Sequence, residues 1–74
     1  MNEHDFTRFS ALMLGLAENF GQSLSPQGIA LRFRALADHG IDEVEQAALS
    51  LMLHRKYTSM PTAAELLEHV HGGS

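Results

Sequence analysis

Apolar residues recur along this chain at helical spacing, and no segment alternates with the period of two that a strand requires. Phe6, Phe9, Met13, Leu16 and Phe20 follow a 3-4-3-4 spacing that lines them, with Ala17, along one stripe of a helix predicted over residues 5–20. Gly21 stands where a left-handed residue closes such a helix. Ser25-Pro26 then supplies a serine N-cap and a proline at the first helical position. The second helix, predicted over 26–39, carries Ile29, Phe33 and Leu36 on one side, with Gly40 as its stop and His39 near its negative end. Asp42 is the expected cap of a third helix over 43–57, with Glu45 completing a capping box. That helix turns Val44, Ala48 and Leu51 toward a core and ends in Arg55 and Lys56, cations where the dipole favours them. Pro61 biases Met60 out of the helical region, and Thr62 with Glu65 forms the reciprocal capping box of a fourth helix over 62–70. Its Ala63, Leu66, Leu67 and Val70 form an amphipathic face.

The chain is therefore expected to be all-α, a compact bundle of four short helices in one domain over residues 1–74, with 1–4 and 71–74 flexible. The chain is 74 residues long, and at that length folding removes only about 60% of the unfolded surface from water, so helix packing must supply the stability. There is no cysteine, which excludes disulfides and thiolate metal sites. A net charge of −4 disfavours non-specific contact with a phosphate backbone, so nucleic acid is not an expected partner. The longest apolar run, Ala11–Ala17, falls far short of the ~20 residues needed to cross a bilayer, so no membrane association is expected. The polar, acidic start Met1-Asn2-Glu3-His4-Asp5 is unlike a signal peptide, and the expected compartment is the cytoplasm.

Some apolar residues do not fit a single core face. Leu49 and Leu53 fall opposite the Val44/Ala48/Leu51 stripe, and Leu31 and Ala35 lie away from Ile29/Phe33/Leu36. Two readings stay open: a central third helix that touches neighbours on two sides, or an exposed apolar patch for a partner or a second copy. The five histidines do not make a metal centre: His69 and His71 are two apart and so off one face, and His39 and His54 lie on other elements. No metal or cofactor is expected. The Leu36–Asp42 corner has the look of a helix-turn-helix, but the helix that would enter the groove begins Asp42-Glu43-Val44-Glu45, which phosphates would repel. Arg32, Arg34, Arg55 and Lys56 are the only basic concentration, either a solvated face or, with Tyr57 alongside, a small patch for an acidic partner. No Gly-rich phosphate loop or paired nucleophile and base is present, so the chain reads as non-enzymatic, with no catalytic residues.

The order of features from Phe6 to Leu67 resembles the folded N-terminal domain of phage replicative-helicase loader/inhibitor proteins. The matching pieces are the aromatic helix Phe6–Phe20, the second helix ending in Leu36 and Asp38, the third with paired Ala47-Ala48, and the run Met60-Pro61-Thr62-Ala63-Ala64-Glu65-Leu66. The chain has Met60 where the family favours phenylalanine, and no tryptophan on its second helix. The resemblance implies a phage- or prophage-type replication protein that binds a replicative helicase or another replisome component. From the residues, the candidate partner-binding set is Leu49, Leu53, Arg55, Lys56 and Tyr57. Reversing the charges of Arg55 and Lys56 is expected to weaken binding and leave the fold intact. The alternative is a self-assembling helical homodimer that buries Leu31, Leu49 and Leu53 between copies.

Overall fold

A computed structural model of the chain describes residues 1–56 and 59–71. Its element order is a 3-10 turn at Glu3–Asp5, then α1 (Phe6–Asn19), α2 (Pro26–Ala35), α3 (Ile41–His54) and α4 (Ala63–Val70). No strand occurs among the described residues. α3 packs against both α1 and α4, and α2 packs on α1. α1 and α3 run in the same direction, since Arg8 near the start of one reaches Asp42 and Glu45 near the start of the other, while Arg55 at the end of α3 lies over Phe20.

The core is built from the stripes that the spacing places inward. Phe9, Met13, Leu16 and Ala17 of α1 are buried against Ile29, Leu36, Ile41, Val44, Ala47, Ala48, Leu51, Met60 and Leu66. Phe33 meets the rings of Phe6 and Phe9 edge-on at centroid distances of 5.0 and 5.3 Å, the geometry that the ring quadrupoles favour. The ends of the α1 stripe are less covered than its centre: Phe20 is half-buried and Phe6 remains 37% exposed. The radius of gyration, 11.2 Å, matches the roughly 11 Å of a well-packed chain of this length, so these contacts close a full core.

Two predicted boundaries are met in chemical detail. Ser25 Oγ accepts from the Gly28 N–H at 3.0 Å, with Pro26 at the first helical position. Gly21 has φ +68°, and the bonds from its own N–H to Glu18 and from the Gln22 N–H to Ala17 make the Schellman closure of α1.

Others are corrected. α2 ends at Ala35, short of 39, because the chain turns through Leu36–His39 so that Leu36 and Ile41 can both enter the core. Gly40 does not stop α2 in the left-handed region. It has φ −76° and ψ 147° and is the N-cap of α3, with no side-chain cap. The Asp42–Glu45 capping box does not form: burial of Ile41 starts the helix before Asp42, and both carboxylates turn to Arg8 at 2.8 and 3.1 Å. α3 ends at His54 because Arg55 is extended, ψ 126°, and directs its guanidinium at α4. Asn2 and Asp5 form a capping box at the start of the chain, and the Met1 amino group donates to the carbonyls of Ala37 and His39 at 2.5 and 2.6 Å.

Candidate functional site

α3 is one of the two inner helices, and its faces differ sharply. Val44, Ala47, Ala48 and Leu51 face inward, toward helices on two flanks. Leu49 and Leu53, one turn apart on the opposite side, are 48% and 77% exposed. Both readings of the sequence thus hold in part: α3 does touch two neighbours, yet Leu49 and Leu53 are not the residues that touch them. An exposed leucine alone is unremarkable; two on one row of α3 leave an exposed apolar stripe on its outer side. Leu31, also exposed, projects from α2, which packs on the other flank of α1.

The basic corner proposed beside these leucines divides. Arg55 is not available to a partner, because its side chain is only 9% exposed and fully engaged within the fold. Its Nε and Nη2 donate to the two Glu65 carboxylate oxygens at 2.9 and 2.8 Å, a bidentate pair. Nη1 donates to the Ser59 carbonyl, and the guanidinium carbon lies 5.6 Å from the centre of the Phe20 ring. This pairing leads instead to the expectation that charge reversal at Arg55 disturbs the fold. Lys56 is exposed and has no ion-pair partner among the described residues. Tyr57 lies outside the described residues. Arg32 also leaves the presumed patch, its Nη1 donating to the Gly28 carbonyl at 3.2 Å.

The same pairing changes the reading of the α4 cap. Thr62 Oγ1 accepts from the Glu65 N–H at 3.3 Å, but the Glu65 carboxylate is taken by Arg55 and does not complete the box. The Gln22 side chain meanwhile accepts from the Met60 N–H at 3.2 Å, tying the loop after α1 to the segment before α4. Hydrogen bonding from the Arg55 guanidinium, with a smaller contribution from the nearby Thr62 backbone N–H, holds the Glu65 carboxyl below its ordinary value of 4.5. A carboxyl depressed in the folded state stabilises the fold above the unfolded value and loses that stabilisation as pH falls through the folded one. Melting temperature is accordingly expected to fall below about pH 4.5, and to fall less steeply in Glu65→Gln. Thermal melts of both proteins from about pH 7 to 3 check this; parallel slopes would remove the pair from acid sensitivity.

Two concave surfaces flank the core. Between α1 and α2 lies an apolar groove of about 220 Å³ lined by Phe6, Ser10, Leu14, Leu24, Pro26 and Ile29. Between α3 and α4 lies a more polar cleft of about 310 Å³ lined by Glu43, Gln46, Ala47, Ser50, His69 and Val70. Sequence reasoning missed both, although Glu43, Gln46 and Ser50 stand at i, i+3 and i+7, a polar row that could have been read. Among the described residues no three of His, Asp and Glu gather as a metal site. His39 and His71, unrelated in sequence spacing, meet edge-on at 4.8 Å. No helix among the described residues is long and apolar enough to cross a membrane.

No protein-family model matches the chain, and neither a curated protein nor a solved structure matches it.

Proposed function

We propose that this chain is a non-enzymatic protein-interaction domain that receives a partner on the outer face of α3. The observation that carries the reading is the exposure of Leu49 and Leu53, 48% and 77%, on a helix packed between α1 and α4. A leucine pair one turn apart on a fixed helix is the shape that an amphipathic partner helix meets, and the rigid backbone lowers the ordering cost of binding. Lys56 belongs to the edge of this face, and Arg55 supports it from beneath by fixing the end of α3.

The resemblance to phage helicase loaders makes a replicative helicase the first partner to try, with a role in phage-type DNA replication. Leu49→Asp and Leu53→Asp, singly and together, keep the core because both side chains already face water. Each is expected to reduce helicase co-sedimentation at least tenfold, the ~1.4 kcal/mol lost when a central apolar anchor is replaced by a charge. Binding that persists in the double variant would move the docking face elsewhere. Sedimentation of the protein alone reads the homodimer alternative: a dimer dispersed by the same two substitutions assigns the leucines to a second copy.

A further inference from the structure

We propose that the cleft between α3 and α4 is an arginine-binding site, which takes the guanidinium of a basic residue on the protein partner that covers Leu49 and Leu53. The inference rests on the outer face of α3 being a docking face, and it adds the partner's chemistry. The cleft holds about 310 Å³, the lower end of the range for ligand pockets and room for one long side chain but not for a helix.

Its lining matches an arginine in parts. Ala47 and Val70 provide an apolar wall for the aliphatic stem. Glu43, Gln46 and Ser50 line the cleft from α3, with the Glu43 carboxylate at its Gly40 end, and His69 lines it from α4. Guanidinium has donors in a planar fork and no acceptor, so it can pair with the Glu43 carboxylate and reach the Gln46 oxygen about one helical turn along. None of the four polar side chains makes a hydrogen bond or ion pair among the described residues.

Charge points the same way. Arg8 is shared by Asp42 and Glu45, whereas Glu43, on the α4 side of the same helical turn, has no cation among the described residues. Helix geometry then sets Gln46 and Ser50 between the Leu49/Leu53 row and the cleft, so one partner helix on the leucines can reach into it. The Glu43 carboxylate favours a basic side chain at the cleft end of a partner helix, while Lys56 favours an acidic one at the other end of the face.

The test uses the whole chain and N-acetyl-arginine amide, with the citrulline analogue as a control that keeps the shape and loses the charge. Two-dimensional amide NMR should show saturable shifts confined to residues lining the cleft, Gln46, Ser50 and His69 foremost, absent with citrulline and at least tenfold weaker in Glu43→Gln. Equal shifts with citrulline, shifts spread evenly over exposed carboxylates such as Glu18 and Glu68, persistence in Glu43→Gln, or no saturable shift would each overturn the assignment. The Leu49→Asp/Leu53→Asp variant separates the two ideas. Cleft shifts that survive in it support the arginine site even where helicase binding fails. Partner binding that is lost in it but indifferent to Glu43→Gln keeps the docking face and sinks the arginine site.

Discussion

Phe9→Ala is expected to lower the melting temperature by roughly 15–35 °C, and to leave much of the protein unfolded at physiological temperature. Phe9 has no solvent exposure, sits at the middle of the α1 stripe, and holds the Phe33 ring of α2 edge-on. Truncating a fully buried phenylalanine costs about 3–5 kcal/mol, because the contacts are lost and a cavity remains. A domain of 74 residues has only about 4–11 kcal/mol to lose, at roughly 0.05–0.15 kcal/mol per residue. Phe6→Ala, at the exposed end of the same stripe, should cost far less, since that ring is still 37% exposed. Far-UV circular dichroism melts of the two variants make the comparison. Equal shifts would mean that the α1 stripe is buried along its whole length and that the centre of the core has been misplaced.

The contrast between these two rings also marks what the chain's pattern could and could not disclose. Periodicity located every helix, because each buries a stripe and stripes have a spacing. Glycine, proline and serine marked the joints at Gly21 and Ser25-Pro26, where the cap is made by the backbone or by a neighbour three residues away. Local rules failed where a distant partner competed for the same side chain. Asp42 and Glu45 had the spacing of a capping box, but Arg8, in another helix, offered each carboxylate a charged donor. Glu65 had the spacing to cap α4, and Arg55 drew it away. At Glu65 the competitor is a forked, charge-assisted pair with a nearly buried guanidinium, which outweighs a single cap, whereas at Asp42 the burial of Ile41 had already moved the start of the helix.

The same reasoning applies to the candidate site. Leu49 and Leu53 were legible, because an apolar residue opposite a core stripe is an anomaly on a helical wheel. Whether they were buried was not, since the flanking helices could have closed over them. The cleft was harder to foresee: four of its lining residues belong to α3 and two to α4, and only packing brings His69 to the same cleft as Ser50. An Arg-Lys pair at a helix end looks alike whether its members face water or the interior. In this fold Arg55 and Lys56 take opposite roles, one engaged within the fold and one exposed.

That division yields the second large effect. Arg55→Glu should destabilise the protein by about 3 kcal/mol or more and lower its melting point by roughly 12–25 °C, whereas Lys56→Glu should change stability by no more than about 0.5 kcal/mol. The reversal leaves two carboxylates facing each other where a forked pair stood, strips the Ser59 carbonyl of its donor and removes the cation over Phe20. Those contacts join the end of α1, the end of α3 and the start of α4, so their loss loosens the corner that holds α3 rigid. Arg55→Lys keeps the charge and forfeits the fork, and should fall between the two. Chemical denaturation of the three variants ranks them, and helicase co-sedimentation below their melting points reads binding separately. A partner affinity that falls in Arg55→Glu only as the folded fraction falls assigns the arginine to the scaffold. An Arg55→Glu protein that melts like the wild type and still loses its partner would return Arg55 to the docking face.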